Sequence, residues 1–141
     1  MAVQIVLDTS VLIAGLRSRR GASFRLLSLI GGTAFELSVS VPLVLEYEAA
    51  AKAQARELGL SQADIDDVLD YLCAVAHRRA IFYLWRPMLR DPQDDMVLEV
   101  AVEAGCEYLV THNVRDFAGA EQFGIQVIRP GAFLKRIGEA G

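Results

Sequence analysis

Four short segments of the sequence place acidic side chains, or the related amide of asparagine, just after runs of apolar residues. Asp8 follows VQIVL, and Glu46 lies in PLVLEYE, about one helical turn after the next such run. The segments RDPQDD and THNVRD add Asp91, Asp94, Asp95, Asn113 and Asp116. Sites in open parallel sheets lie outside the carboxyl ends of the strands. If the apolar runs are neighbouring strands, these side chains meet at one edge of the sheet.

Carboxylates that share a pocket need a cation. They repel one another and raise one another's pKa values unless an opposite charge compensates them. Mg²⁺ or Mn²⁺ suits such a pocket, because these ions take oxygen ligands and keep several waters. An ion of this kind can activate a water and hold a phosphodiester for in-line displacement. The pattern therefore predicts a divalent-metal site for hydrolysis.

Each of these residues also has a purely structural interpretation, because aspartate favours helix caps and turns. Asp8 and Asp94 are candidates for helix N-caps, and Asp91 is a candidate turn residue. Glu46 and Asp116 would then be solvated surface acids. Taken singly, the structural interpretation is at least as strong as the functional one. Taken together, the convergence of several acids on one edge favours a site.

Strand-like and helical segments alternate along the chain, which is typical of a parallel sheet covered by helices on both faces. The predicted strands span 3–7, 35–40, 81–85, 108–111 and 126–128, and helical patterns span 9–16, 23–30, 42–58, 61–76 and 94–104, with a terminal helix from Pro130. The predicted fold class is α/β, a three-layer α/β/α sandwich with a central parallel sheet of about five strands. One domain is expected to span residues 1–141.

Composition narrows the class of protein. The 141 residues are 53% hydrophobic, which is enough for a real core and argues against a disordered chain. No apolar run is long enough to cross a membrane, and the N-terminus lacks a signal-peptide pattern. Cys73 and Cys106 form no CxxC pair and fit reduced thiols, and the two histidines offer no zinc spacing. A cytoplasmic protein with no membrane association is expected.

Two basic stretches interrupt a chain whose net charge is -4. RSRRGASFR carries Arg17, Arg19, Arg20 and Arg25, and HRRAIFYLWRPMLR carries Arg78, Arg79, Arg86 and Arg90. The first stretch is a candidate for contacts with the phosphate backbone of RNA. It can equally be interpreted as a solvated basic loop, and the two interpretations carry equal weight. For the second stretch, solvation is the favoured interpretation.

Three motifs occur in order and together resemble one known family. They are VLDTS, LVLEYE and DPQDDMVLEVAVEAGCEYLVTHNVRDF, of which the last is the most specific. In this combination the sequence resembles the PIN domain family, and within it the VapC-like toxin components of toxin–antitoxin systems. The resemblance extends from residue 3 to about residue 133.

The resemblance implies a metal-dependent endoribonuclease that cleaves RNA with Mg²⁺ or Mn²⁺, as the toxin of a type II toxin–antitoxin system. It also implies a cognate antitoxin protein and a homodimer as partners. Asp8, Glu46, Asp95 and Asn113 match the four acidic positions of the family, with Asp94 as a possible substitute for Asp95 and Asp116 as a second source of charge. Asp8 and Asp95, or Asp94, would bind the metal. The hydroxyls of Ser10 and Thr111 would hold carboxylates in place.

The chain departs from the family pattern at two positions. Ser10 stands where many members have asparagine, and Asn113 stands where many have aspartate, which removes one negative charge from the metal site. A degenerate PIN domain that binds RNA or protein without cleavage is therefore a competing hypothesis. A receiver-type phospho-acceptor domain and a phosphatase with an aspartate nucleophile also compete with it. The receiver fits less well, since Asp8 has no acidic neighbour and Arg129 stands in place of the receiver lysine. The phosphatase fits less well, since its DxD motif is replaced here by Asp8, Thr9 and Ser10.

Overall fold

The computed structural model describes residues 3–79, 89 and 91–138. Five parallel strands form a sheet in the order β3-β2-β1-β4-β5. The strands are β1 (Val3–Leu7), β2 (Phe35–Val39), β3 (His77–Arg78), β4 (Tyr108–Val110) and β5 (Gln126–Ile128). Helices flank the sheet, so the predicted three-layer α/β class with about five parallel strands is confirmed.

The strand order reverses next to β1. The chain first runs outward from β1 through β2 to β3, and then crosses back to β4 and β5 on the other side. Ile5 is paired with Leu37 of β2 on one side and with Tyr108 of β4 on the other. Such a reversal opens a crevice at the carboxyl ends of the two central strands, which is where α/β folds bind ligands. Asp8 and Thr111 follow β1 and β4 directly at this crevice.

The apolar run of β1 reflects its central position. Ile5, Val6 and Leu7 are all buried although consecutive residues of a strand point to opposite faces. This is expected for a strand that helices cover on both sides. Among the helices, α6 packs against β1, β2 and β4, whereas α1 packs against α2 and α3.

Seven α-helices fall within the described residues. They are α1 (Thr9–Arg17), α2 (Ala22–Ser28), α3 (Val41–Ala53), α4 (Ala55–Leu58), α5 (Gln62–Val75), α6 (Pro92–Glu103) and α7 (Pro130–Arg136). Two 3₁₀ turns, Val114–Phe117 and Ala120–Phe123, connect β4 to β5. The helix predicted over 42–58 is in fact two, because Gln54 ends α3 before α4 begins.

Local sequence signals explain where these helices begin and end. The hydroxyl of Ser40 accepts a hydrogen bond from the Leu43 backbone N–H at the start of α3. Ser61 and Asp64 form a complete capping box at the start of α5, as the sequence predicted. Gly59 has φ 69° after α4, a conformation that glycine adopts without steric cost.

Some sequence predictions concern residues that are not described. The strand predicted over 81–85 lies outside the described residues, as do Arg86 and Arg90. In the described residues β3 forms the edge of the sheet beside β2, and Arg79 continues the β2–β3 pairing by donating its backbone N–H to the carbonyl of Val39 at 2.7 Å. No helix in the described ranges is long and apolar enough to cross a membrane.

Candidate functional site

An open cleft of ≈ 620 Å³ lies at the carboxyl ends of β1 and β4. Its walls come from one side of α1, from the start of α6, from one side of α3, and from the loop after β4. Five acidic residues line it, which are Asp8, Glu46, Asp91, Asp94 and Asp116. The other polar residues of its lining are Thr9, Ser10, Arg17, Gln54, Gln93, His112 and Asn113.

Asp8 is the most constrained acid of the cleft. Its side chain is 6% exposed, and its Oδ2 atom accepts hydrogen bonds from Ser10 Oγ at 2.6 Å and Thr111 Oγ1 at 2.7 Å. Among the described residues, no hydrogen bond to the other oxygen, Oδ1, is found. Two hydroxyls on one oxygen fix the carboxylate plane and leave Oδ1 available to a ligand.

The capping interpretation of Asp8 does not explain this geometry. Asp8 occupies the N-cap position of α1, but its side chain makes no capping hydrogen bond to the helix backbone. Instead, its backbone N–H donates to the Val110 carbonyl at 2.9 Å, which extends the β1–β4 pairing by one residue. The carboxylate is thus directed toward the crevice between the strands.

The two hydroxyls that bind Asp8 are themselves held by the loop after β4. The backbone N–H of His112 donates to Ser10 Oγ at 3.1 Å, and that of Asn113 donates to Thr111 Oγ1 at 2.9 Å. The distance between Ser10 Oγ and Thr111 Oγ1 is 3.4 Å. Thr111 is fully buried. Ser10 and Thr111 were predicted to hold carboxylates, and the structure shows that both bond the carboxylate of Asp8.

The three aspartates of RDPQDD have three different environments. Asp91 is the N-cap of α6 and accepts the Gln93 backbone N–H at 2.9 Å, so the cap considered for Asp94 is formed by Asp91 instead. Asp94 is half-buried and lines the cleft. Asp95 is 2% exposed, does not line the cleft, and accepts the Leu89 backbone N–H at 2.9 Å.

This placement revises the assignment of the third acid. The sequence prediction gave the role to Asp95, with Asp94 as its substitute. Successive residues of a helix point about 100° apart, and α6 turns Asp95 into the interior next to Leu98 and Glu99. Asp94 is left facing the cleft, so the geometry favours Asp94 as the third acid.

Glu46 reaches the cleft from α3. The next residue, Tyr47, is buried and donates its hydroxyl to the carbonyl of Leu7 at 2.5 Å. This bond ties α3 to the end of β1, one residue before Asp8. Glu46 is consequently held on the side of α3 that faces Asp8 and Asp91.

Asn113 and Asp116 lie in the loop that follows β4. Both are exposed and both line the cleft. The backbone N–H of Asp116 donates to the Asn113 carbonyl at 3.0 Å, within the 3₁₀ turn. This turn brings Asp116 back to the cleft, so that its carboxylate and the Asn113 amide line the same wall.

Three titratable residues of the cleft have shifted pKa values. Burial, together with the charges of Asp8, Asp91 and Asp116, raises the pKa of Asp94 to about 7. Burial also raises the pKa of Glu46, with smaller contributions from Asp91 and Asp8. The pKa of His112 is lowered by burial and by the positive charge of Arg129.

The chemistry of the cleft fits a hard divalent cation that keeps much of its water. Five carboxylic acids share the cleft with one arginine, and the repulsion at Asp94 is what such an ion would relieve. No three acidic, histidine or cysteine side chains in the described ranges are close enough to form a complete metal site. Mg²⁺ is commonly bound through one or two carboxylates plus water, so a site of this kind does not require three protein ligands.

The four arginines of the first basic stretch divide into two groups. Arg17 lines the cleft, whereas Arg19, Arg20 and Arg25 are exposed outside it, on the α1–α2 loop and α2.

Besides Thr9, three polar residues of the cleft were not among the candidates from the sequence. They are Gln54, Gln93 and His112. His112 is joined to buried Ser23 by a hydrogen bond of 2.7 Å between Nε2 and Oγ. No local sequence signal distinguishes these neutral residues from surface residues.

The family model of the PIN domain matches residues 4–115. The chain belongs to the PIN domain family. The match includes the segments that carry Asp8, Glu46, Asp94 and Asn113, and confirms the family that the motifs predicted. The receiver-type and aspartate-nucleophile phosphatase hypotheses are wrong, because the chain belongs to a different family.

A similar solved structure supports the same fold. It is a chain of VapBC2 from Rickettsia felis bound to a DNA fragment from their promoter, with a TM-score of 0.62 and 13% sequence identity. The similarity covers 90% of this PIN domain and 98% of the other chain. Among the curated proteins, none matches the chain.

Proposed function

We propose that this PIN domain is a metal-dependent endoribonuclease that hydrolyses phosphodiester bonds of RNA in the cleft beside Asp8. One observation carries the proposal. Five acids of a PIN domain line one cleft, and burial together with their mutual repulsion raises the pKa of Asp94 to about 7. Asp91 also caps α6, but helix capping does not explain why Asp8, Glu46, Asp94 and Asp116 line the same cleft.

Asp8 and Asp94 are the proposed ligands for Mg²⁺ or Mn²⁺. When bound, the ion supplies positive charge that stabilises the phosphodiester oxygens and increases the acidity of a water molecule. Oδ1 of Asp8 is available for this, since Ser10 and Thr111 both bond Oδ2. These hydroxyls act on the ion only through Asp8, by fixing its carboxylate.

Glu46 is the proposed residue that orients or deprotonates the attacking water. Burial raises its pKa, which brings the carboxylate closer to the range in which a general base works near neutral pH. Asn113 contributes an amide that can hold a water or a phosphate oxygen. Asp116 supplies the negative charge that completes the acidic wall.

Arg17 is the proposed contact to an RNA phosphate within the cleft. Arg19, Arg20 and Arg25 extend this positive charge along the α1–α2 loop, where an RNA strand leaving the cleft would pass. Without these arginines, an acidic cleft in a protein with net charge -4 would repel RNA.

The biological role proposed is that of a toxin in a type II toxin–antitoxin system, in the cytoplasm. The PIN family and the VapBC2 neighbour support this role. A cognate antitoxin protein and a second copy of the chain are the proposed partners.

A PIN domain that binds RNA without cleaving it is the second candidate function. Asn113 favours it, because an amide in place of a carboxylate lowers the negative charge available for a metal ion. Asp116 lines the same cleft and opposes this interpretation. The two candidates differ in a single outcome, which is cleavage.

The test is incubation of the protein with a mixed pool of RNA in Mn²⁺ or Mg²⁺, beside an Asp8→Asn variant and a sample with EDTA. We expect cleavage by the wild type, and none by the variant or in EDTA. Cleavage that survives either control would rule out the metal–carboxylate mechanism. RNA binding without cleavage by the wild type would favour the degenerate PIN domain.

A further inference from the structure

Arg17 is the one arginine in the lining of the cleft, among the residues that the structure describes. It ends α1, on the same helix that begins beside Asp8. Five acids line the same cleft, so a flexible arginine at this position would be expected to form an ion pair with one of them. Such a pair would neutralise a carboxylate of the proposed metal site. The positive charge of Arg17 would then no longer be available to an RNA phosphate.

The structure shows a different partner for Arg17. Its Nη2 donates a hydrogen bond of 2.7 Å to Oε1 of Gln54, and no ion pair of Arg17 is found with any described acid. A side-chain amide is neutral, so it orients the guanidinium without cancelling its charge. Four of the five N–H donors of the guanidinium remain for other partners.

Gln54 is itself fixed at the end of α3. Its backbone N–H donates to the Ala51 carbonyl at 3.2 Å. Its side-chain Nε2 donates to the Ala50 carbonyl at 3.5 Å, a long hydrogen bond that turns Oε1 toward Arg17. The Arg17–Gln54 bond therefore joins the end of α1 to the end of α3 within the lining of the cleft.

We propose that Gln54 is a positioning residue, which holds Arg17 in the cleft with its charge available to an RNA phosphate. The proposal rests on the proposed nuclease function and adds a residue to it. Gln54 acts through Arg17 and does not participate in the chemical step. Replacement by glutamate would bind Arg17 equally well in geometry, but would cancel the charge.

The test is a double-mutant cycle on RNA cleavage. Losing one hydrogen bond that orients a charged group predicts that Gln54→Ala raises KM by about 3- to 10-fold, with kcat changed by less than about twofold. Gln54→Glu is expected to raise KM at least as much, although it keeps the hydrogen bond. In an Arg17→Ala background, Gln54→Ala should have almost no further effect, because the group that it positions is gone.

Gln62→Ala is the matched control, since Gln62 is an exposed glutamine at the start of α5, away from the cleft. It should leave KM unchanged, and thermal unfolding should be the same for all variants. An effect of Gln54→Ala that is equally large in the Arg17→Ala background would overturn the proposal. So would a Gln54→Glu variant with the KM of the wild type.

Binding measurements separate failure of this inference from failure of the proposed function. The same substitutions are made in an Asp8→Asn background, and the Kd for a fluorescent single-stranded RNA is measured in Mg²⁺ by anisotropy. If the wild type does not cleave, a Kd raised by Gln54→Ala only when Arg17 is present still supports the inference. A Kd that is unaffected by Gln54→Ala, or absence of RNA binding, contradicts it.

Discussion

Asp94 and Asp95 are adjacent in sequence, but the structure places them in different environments. Asp94 is half-buried among other acids, and no hydrogen bond from a described residue reaches its carboxylate. Asp95 is buried and accepts a backbone N–H. The same substitution at the two positions therefore has opposite expected effects, which makes them a matched pair for experiment.

Asp94→Asn is expected to stabilise the metal-free protein. The pKa of Asp94 rises from an ordinary 3.8 to about 7 in the folded state, so the folded protein binds this proton more tightly than the unfolded chain. The ionised carboxylate therefore destabilises the folded protein, and this destabilisation grows as the pH rises from 3.8 to about 7. After allowance for solvent screening, we expect a gain of about 1 kcal/mol at pH 8 and a smaller gain at pH 5.

Chemical denaturation in EDTA at the two pH values measures this effect. Asp95→Asn is the control, and it is expected to lower the free energy of unfolding because it disturbs a buried, bonded carboxylate. If Asp94→Asn destabilised the protein as much as Asp95→Asn, the assignment of Asp94 to a crowded cleft would be incorrect.

Thr111→Val tests the network that fixes Asp8. Valine has the shape of threonine but removes the donor to Asp8 Oδ2 and the acceptor of the Asn113 N–H. We expect a loss of about 1–3 kcal/mol in the free energy of unfolding, and weaker binding of Mn²⁺. Thr33→Val is the control, at an exposed threonine, and should change neither quantity. Unchanged Mn²⁺ affinity in Thr111→Val would show that the hydroxyl does not position Asp8.

Much of the site could be predicted at the level of single residues. The motif order identified Asp8, Glu46, Asn113 and Asp116, and all four line the cleft. The choice between Asp95 and Asp94 depends on the rotation of α6, and both residues precede the same apolar run. The inward stripe of Asp95, Leu98 and Glu99 was the signal that could have decided it.

The elements of the fold were predictable because their apolar patterns are strong. β1, β2, β4 and β5 begin at the predicted residues, and the capping box of α5 forms as expected. The break between α3 and α4 was not predicted, since the helical pattern continues through Gln54. The residue at that break accepts the hydrogen bond from Arg17, which no pattern within a single element could reveal.

Gly15 tests the packing of α1 on α2 at the scale of elements. A Cβ atom at Gly15 would collide with the Leu27 side chain and approach the Ser23 carbonyl oxygen to 3.2 Å. We expect Gly15→Ala to lower the free energy of unfolding by about 1–2 kcal/mol despite its better helix propensity. The measurement is thermal or chemical denaturation.

Gly131→Ala is the matched control, because it is also a helical glycine. Its Cβ would make only an ordinary contact, at 3.8 Å from the Ala22 Cβ. This substitution should be neutral or slightly stabilising. Equal effects of the two substitutions would indicate that α1 and α2 are not in close contact at Gly15.

At the scale of the whole molecule, the sheet topology determines where the acidic and basic side chains lie relative to the cleft. The reversal of strand order at β1 opens the crevice, and the acids of four segments are delivered to it. A domain with net charge -4 still offers one basic loop beside that crevice. The proposed nuclease function requires both features, since the acidic cleft would bind a cation and the basic loop would bind the RNA polyanion.

The central claim is that the acids of this cleft bind a divalent ion, and calorimetric titration of Mn²⁺ into the metal-free protein tests it most directly. We expect binding to the wild type, and affinity at least about tenfold weaker in Asp8→Asn and Asp94→Asn. Asp95→Asn, if folded, should retain the affinity of the wild type. Absence of Mn²⁺ binding by the wild type, or equal affinity in Asp8→Asn, would contradict the claim.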